Sequence, residues 1–266
     1  MRKSATILLM WLVVLMATLG AAPVHEKTAG VDAACARCPD CCEFNLLNTA
    51  IRDGTTDRAT APARVKELIS SIRQNYYTRG GIDYTKDAWV FPVEGYGGKA
   101  IGGRRGSGYK PKGYDFFDGT RHRAHAAHDI FIQDRDGDGL DDRTGNPVMV
   151  RSMTNGIVVA VETGWDASST LRGGNYISIY NPSDHALVYY AHNATVLVEL
   201  GDIVRPGDII ATVGRTGLNA FKTRSPTHLH LAYSDVNSGN VAARNIYREL
   251  MNTAKAKGVS RHASRG

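Results

Sequence analysis

The part of the sequence after Trp89 consists of short apolar runs that glycine-containing turns separate from one another. The runs are rich in β-branched and aromatic residues, which favour strands over helices. Turn pairs such as Asn155-Gly156 and Pro206-Gly207 stand between them. The pattern predicts a mainly β domain with an antiparallel sheet, arranged as a sandwich or a barrel. The clearest runs are residues 156–162, 175–180, 186–191 and 208–213.

Two amphipathic segments flank the β-rich region and predict helices. Apolar residues recur at 3.6-residue spacing between Thr60 and Gly80, with Pro62 near the start and a Gly-Gly pair at the end. A second helix is expected from about Val241 to Ala254. The fold class is therefore mainly β with one N-terminal and one C-terminal helix. The predicted apolar faces comprise Val65, Leu68, Ile69, Ile72 and Tyr76 in the first helix, and Ile246, Leu250 and Met251 in the second.

The N-terminus has the composition of an export signal. Arg2 and Lys3 precede an apolar run from Ala5 to about Ala22 that ends in small residues. Because the run is short for a membrane span, we expect a signal peptide at residues 1–22. An uncleaved membrane anchor is the main alternative, and a helix buried in the fold is a third. Either of the first two places the protein in the periplasm, the extracellular space or the cell envelope.

A cluster of four cysteines follows, comprising Cys35, Cys38, Cys41 and Cys42. In an exported chain, an even number of clustered cysteines favours local disulfides. A zinc site would need a second group of His or Cys at suitable spacing, and none follows in the sequence. Free thiols are the remaining alternative. The pairing stays open, since four cysteines allow three connectivities.

The formal net charge of +6 raises the question of nucleic-acid binding. Part of this charge belongs to the export signal and much of the rest to the tail after Ala243, which leaves a near-neutral body. A basic, glycine-rich segment from Lys99 to Arg123 is the exception, and it ends beside the histidine cluster described next. The chain lacks the basic-aromatic pattern of an RNA-binding surface. Nucleic acid is therefore excluded as a partner.

Histidines and one aspartate recur at spacings that suit a metal site. His125 and Asp129 are four residues apart, which keeps both side chains on one face of an extended chain. His228 and His230 flank one leucine and also share a face, while His192 closes an apolar run. A catalytic zinc takes three protein ligands of these types and keeps one position open. His125, Asp129 and one member of the His-Leu-His pair would supply that set, and another histidine would act on the bound water or the substrate.

In order and spacing, these motifs resemble those of the lysostaphin-type zinc endopeptidases of bacterial cell walls. The resemblance covers about residues 89–235 and includes the segments around the histidines. The matching motifs are Phe91-Pro-Val93, His125-x-x-x-Asp129, Gly145-Asn-Pro-Val148, Gly156-Ile-Val158, Tyr190-Ala-His192, Gly201 to Gly207, Gly214 to Gly217, and His228-Leu-His230.

The resemblance implies a role for each of these side chains. His125, Asp129 and His230 would bind one catalytic zinc ion, and His192 and His228 would polarise the zinc-bound water and stabilise the oxyanion. The implied fold is a β-sandwich of the duplicated hybrid motif type, with the metal at the floor of an open groove. The implied substrates are the stem peptides of peptidoglycan. Ala127 stands where the family usually has glycine, a departure that removes no ligand.

An acidic insertion directly follows the first ligand pair. Aspartates alternate from Asp134 to Asp138 and are followed by Gly139, as at the start of an EF-hand calcium loop. The bidentate Glu of such loops is missing, since Gly145 occupies its position. The sequence predicts a structural Ca²⁺ site, with a solvated acidic turn as the alternative. Its candidate ligands are Asp134, Asp136, Asp138 and Asp142.

These inferences divide the chain into five segments. They are a signal peptide or anchor at 1–22, a Cys-containing linker at 23–59, a helical segment at 60–88, a zinc metallopeptidase β domain at 89–240, and a C-terminal helix with a basic tail at 241–266. The predicted function is that of an exported zinc metalloendopeptidase that hydrolyses peptide cross-links of bacterial peptidoglycan. The alternative is a non-catalytic wall-binding regulator that activates another hydrolase. A membrane is a partner only if the N-terminal segment is an uncleaved anchor.

Overall fold

The structure is a computed structural model that describes residues 33–119 and 123–260, with side chains up to residue 255. The predicted signal peptide or anchor at 1–22, His122 and the end of the basic tail lie outside the described residues. Among the residues described, no helix combines the length and the apolar character that a membrane span requires.

One antiparallel sheet dominates the described part of the chain. Its main path runs in the order β1-β8-β5-β4-β3-β6; β9 pairs with β8, and β2 pairs with β7. The mainly β, antiparallel prediction is confirmed, and the sheet is open rather than closed into a barrel. The strands are β1 Ala127–Phe131, β2 Met149–Arg151, β3 Gly156–Glu162, β4 Asn175–Asn181, β5 Ala186–Val196, β6 Ile203–Val204, β7 Ile209–Val213, β8 His228–Asn237 and β9 Asn240–Ala243.

Strand β5 belongs to both parts of this sheet. It pairs with β8 as far as Ala191 and with β4 as far as Asn193, whereas Asn193 and Val196 also pair with β7. The strand therefore turns the chain from the main sheet toward the β2–β7 pair. The larger core is built from side chains of both parts, among them Phe91, Val150, Met153, Ile177, Tyr190, Val213 and Leu229.

Two helices, α1 (Pro39–Asp53) and α2 (Ala61–Thr78), pack on the other face of the main sheet. A second core joins them to β3, β4 and β5. Helix α2 lies where the sequence predicts it, and all five predicted apolar positions are buried. The members of the second core include Phe44, Val65, Leu68 and Ile72 from the helices, and Ile157, Val159, Tyr180 and Leu187 from the sheet.

The structure corrects the linker expected at 23–59, because Pro39–Asp53 form helix α1. Only Cys41, Phe44 and Ile51 are buried along its length, so its sequence pattern is weak. Its stability comes from tertiary contacts instead: Asn45 Oδ1 accepts a hydrogen bond from the Val161 backbone N–H, and Arg52 pairs with Glu162. A weak periodic signal supported by such contacts cannot be recognised from the sequence.

The four cysteines form two disulfides at the start of α1. Cys35 pairs with Cys42, and Cys38 pairs with Cys41. Arg37, within this cluster, forms ion pairs with Glu199 and Asp202 in the turn before β6, and Arg79 donates to the Gly201 carbonyl oxygen in the same turn. The disulfides thus stabilise a segment that is itself attached to the sheet.

The C-terminal part differs from the expected helix at 241–254. Residues Asn240–Ala243 form strand β9, and helix α3 spans Tyr247–Ser260. Ser238 and Gly239 both have positive φ and form a two-residue hairpin turn that returns the chain along β8. The apolar positions Ile246 and Leu250 are nevertheless buried in the larger core, as expected.

If α1 is an integral part of the domain, replacing its buried aromatic side chain should destabilise the whole protein. Phe44 is 1% exposed, and we expect Phe44→Ala to lower the free energy of unfolding by about 3–5 kcal/mol. Leu46, on the same helix, is 64% exposed, so Leu46→Ala should change it by less than about 0.5 kcal/mol. Urea titrations of both variants measure the difference; equal effects would show that α1 does not pack on the sheet.

Candidate metal centre

Three metal-ligating side chains meet where β1 lies beside β8. The antiparallel register places Asp129 directly opposite His230. His125 lies two residues before β1 and, at even spacing from Asp129, presents its ring on the same side. One ligand atom from each of these three residues lies within 4.8 Å of the other two.

The separations in this cluster suit a zinc ion. Asp129 Oδ1 lies 3.2 Å from His125 Nε2 and 3.0 Å from His230 Nδ1. In a tetrahedral site with zinc–ligand bonds of about 2.0–2.2 Å, neighbouring ligand atoms lie about 3.3–3.6 Å apart. Two imidazole nitrogens and one carboxylate oxygen are also the donor types that zinc prefers. The residues present therefore fit the metal that the sequence predicts.

The basic segment before His125 holds this ligand in place. The backbones of Lys110 and His125 exchange two hydrogen bonds, of 2.7 and 2.9 Å. The Gly108 carbonyl oxygen lies 3.0 Å from His125 Nδ1. Because a carbonyl only accepts, Nδ1 carries the proton and Nε2 is the nitrogen available to a metal. A second bridge joins Ile101 to Ile130, so residues 101–110 run beside β1 and the residues directly before it.

His192 reaches the same site through a β-bulge. Asn175 of β4 pairs with Asn193 and Tyr176 pairs with Ala191, so His192 is an extra residue in β5 with no partner in β4. Its φ of 66° is a left-handed value that non-glycine residues rarely adopt. Regular alternation would place His192 in the core with Tyr190, whereas the bulge turns it toward the metal ligands.

His192 and His228 are held in the same way. His192 Nδ1 lies 2.7 Å from the Thr216 carbonyl oxygen, and His228 Nδ1 lies 2.7 Å from that of Pro226. Both Nδ1 atoms therefore donate, which leaves the Nε2 atoms free to accept. The two ring centroids are 4.9 Å apart, and His228 Nε2 lies 3.7 Å from Asp129 Oδ1.

The protonation states of these groups differ. Burial opposes the charge of Asp129, but hydrogen bonds from His125 and His230 outweigh it and hold its pKa well below the usual range. The same hydrogen bond to Asp129 raises the pKa of His125. Burial, with the neighbouring histidines adding to it, lowers the pKa of His192 to about 3. Burial also lowers the pKa of His228. At neutral pH, Asp129 is thus a carboxylate, and His192 and His228 are neutral bases.

A cavity of about 420 Å³ opens beside the five side chains. The face of the main sheet forms its floor, and α1 together with three loops forms its walls. The helices therefore cover only part of that face and leave the metal end open. Besides the site residues, the lining includes Asn48, Ile51 and Arg52 from α1, Tyr114 and Phe116 from the basic segment, Leu171 and Arg172 after β3, Asn219 before β8, and Tyr176 and Tyr189 from the floor.

His128 faces away from the metal ligands. It is buried on the other side of β1, where its Nε2 lies 3.1 Å from Asn245 Oδ1 and its ring stacks on Tyr109. Alternation along β1 places His128 on the opposite face of the strand from Asp129.

The structure gives little support to the calcium site predicted in the acidic insertion. Asp134, Asp136 and Asp138 lie close together, but both carboxylate oxygens of Asp134 already accept hydrogen bonds from within the protein. Asp142 Oδ1 accepts a hydrogen bond from the Arg135 backbone N–H. The calcium site stays a prediction without structural support.

Comparison with known proteins finds a match to one family model over part of the chain. The model described as Peptidase family M23 matches residues 135–242. This range contains His192, His228 and His230 and begins after Asp129. The placement of His125 and Asp129 in the site therefore depends on their motif and on the geometry above.

Several solved structures are similar to this chain. Lysostaphin from Staphylococcus simulans is 23% identical over 59% of this chain and 51% of its own, with a TM-score of 0.38. A candidate glycyl-glycine endopeptidase LytM from Ruminococcus gnavus is 20% identical over 79% of this chain and 87% of its own, with a TM-score of 0.43. A zinc-containing peptidase from Vibrio cholerae is 23% identical over 59% of this chain and 39% of its own, with a TM-score of 0.36. The chain thus spans about half the length of lysostaphin.

If the three-atom cluster is a metal site, its side chains should determine metal content. We expect the purified protein to hold about one zinc per chain, and His125→Ala, Asp129→Ala and His230→Ala each to lose most of it. His192→Ala is the matched control, because it removes a ring from the same cavity without removing a member of the cluster. Elemental analysis after dialysis measures the content; full zinc in Asp129→Ala would contradict the assignment.

Proposed function

Residues 135–242 are a Peptidase family M23 domain, which confirms the resemblance to the lysostaphin-type family, and from this premise we propose that the chain is a zinc-dependent endopeptidase. Its substrates are the peptide cross-links of bacterial peptidoglycan. The observation that carries the proposal is the convergence of five side chains on one cavity. His125, Asp129 and His230 form the metal cluster there, and the free Nε2 atoms of His192 and His228 accompany it.

The neutral histidines supply the proton transfers that hydrolysis requires. A bound zinc ion would polarise the scissile carbonyl and lower the pKa of a water molecule held beside it. Nε2 of His192 or His228 accepts the proton that this water loses as its oxygen attacks the carbonyl carbon. The protonated ring then stabilises the oxyanion or gives the proton to the amide nitrogen as the C–N bond breaks. The Thr216 and Pro226 carbonyl oxygens keep both rings oriented throughout.

The charge of the cavity lining is complementary to that of wall peptides. Besides the metal-site groups, the described part of its lining contains two charged side chains, Arg52 and Arg172; both are cationic, and Arg52 also pairs with Asp53 and Glu162. Stem peptides carry carboxylates, so a positive lining would attract them. Helix α1 contributes Asn48, Ile51 and Arg52, which makes the disulfide-stabilised segment a wall of the substrate cavity.

Export agrees with the cysteine chemistry. Disulfides persist in oxidising compartments and are rare in the cytosol. The two disulfides before and within α1 therefore support the export that the first 22 residues predict, to the periplasm or the outside of the cell. That location is also where peptidoglycan is accessible.

Cleavage of defined wall peptides, followed by mass measurement of the fragments, tests the proposal. We expect hydrolysis that a chelator abolishes and added zinc restores. His192→Ala and His228→Ala should each lower kcat by about 10²–10⁴-fold, the usual contribution of an acid–base group, while zinc content stays near that of the wild type. His185→Ala, which removes a histidine that contacts Tyr180 and does not line this cavity, serves as the control.

The result also separates the enzyme from the regulator. Unchanged kcat in both histidine variants would contradict the catalytic assignment. Binding to wall material without any fragments, by a protein with full zinc content, would favour the non-catalytic regulator instead.

A further inference from the structure

We propose that Thr227, held between Asp134 and Arg215, is a positioning residue that sets the placement of His192 relative to His228. The inference rests on the proposed function for the catalytic role of these two histidines. It also gives the acidic insertion a role that requires no bound cation.

Thr227 lies where three parts of the site meet. The residue is 1% exposed, and its hydroxyl donates to Asp134 Oδ2 at 2.5 Å and accepts from Arg215 Nη1 at 2.9 Å. Since a carboxylate only accepts and a guanidinium only donates, the direction of both hydrogen bonds is fixed. The Thr227 carbonyl oxygen also accepts from the Ile132 backbone N–H, at 3.1 Å, just beyond β1.

The partners of Thr227 adjoin the groups that hold the two histidines. Pro226, directly before Thr227, supplies the carbonyl oxygen that orients His228. Thr216, directly after Arg215, supplies the carbonyl oxygen that orients His192. A single hydroxyl therefore connects two backbone segments, each of which carries the acceptor of one imidazole N–H.

Asp134 is a rigid partner for this hydroxyl. It is 8% exposed, and its carboxylate also accepts from the backbone N–H groups of Gly137, Asp138 and Gly139. A Cβ on Gly137 would lie 3.5 Å from the Arg215 guanidinium, so the acidic turn passes close to that side chain too. The turn thus fixes Asp134, and Asp134 fixes Thr227.

Loss of the hydroxyl should affect the rate more than the binding of substrate or metal. Thr227→Val keeps the shape of the side chain but leaves the buried carboxylate and the guanidinium without their shared partner. The segments around Pro226 and Thr216 can then move relative to one another. Small displacements of catalytic groups strongly reduce rates. The three metal ligands are held by other contacts: Asp129 and His230 by the pairing of β1 with β8, and His125 by the Gly108 carbonyl oxygen.

Steady-state kinetics on the zinc-loaded enzyme are the first arm of the test. Thr227→Val should lower kcat by about 10–100-fold, with KM and zinc content close to those of the wild type. Thr227→Ser should restore most of the rate, because it keeps the hydroxyl. Asp134→Ala should resemble Thr227→Val, whereas Arg135→Ala, a change at a side chain of the same turn that is 94% exposed, should leave the rate unchanged. Wild-type kcat in Thr227→Val would overturn the proposal.

The second arm uses zinc-free protein and does not depend on activity. The Nδ1–H protons of His192, His228 and His125 all donate to carbonyl oxygens and can be followed by NMR. We expect faster solvent exchange at His192 and His228 in Thr227→Val, and unchanged exchange at His125, whose acceptor is the distant Gly108. Equal acceleration at all three would indicate general loosening and overturn the proposal. If the wild type cleaves no wall peptide, the proposed function fails, and this second arm still decides whether Thr227 positions the rings.

Discussion

The antiparallel register of β1 against β8 is the constraint on which the site depends. It places Asp129 opposite His230, and the even spacing along each strand then brings His125 and His228 to the same face. A slip of one residue would send a whole set of side chains into the opposite core. Apolar neighbours such as Ile130 and Leu229, both fully buried on that opposite face, penalise such a slip. The hydrophobic core and the metal site are therefore specified by the same alternation.

Around this pair of strands, the backbone itself orients the remaining groups. Carbonyl oxygens of Gly108, Thr216 and Pro226 each accept from an imidazole Nδ1, which fixes the tautomer as well as the ring plane. These acceptors lie on two loops: Gly108 precedes β1, and Thr216 and Pro226 stand at the two ends of the connection between β7 and β8. The accuracy of the site therefore depends on how the loops are attached to the sheet and to each other, and Thr227 supplies one of those attachments.

Much of this arrangement follows from periodicity. The strand runs, helix α2 and the shared faces of His125 with Asp129 and of His228 with His230 all follow from spacing. His192 does not, because alternation alone would bury it beside Tyr190, and only the bulge opposite β4 turns it outward. Periodicity does not indicate helix α1 or strand β9 either. Tertiary contacts stabilise the helix, and a two-residue Ser-Gly turn brings the strand back along β8. The Asp pattern predicts calcium, whereas the folded turn uses Asp134 for hydrogen bonds.

Anomalous diffraction at the zinc absorption edge, from crystals of the purified protein, tests the central claim most directly. The account predicts one strong peak within about 2.0–2.2 Å of His125 Nε2, an Asp129 carboxylate oxygen and His230 Nδ1. A strong peak elsewhere, for example beside Asp136 and Asp138, together with no peak between these three residues, would contradict it.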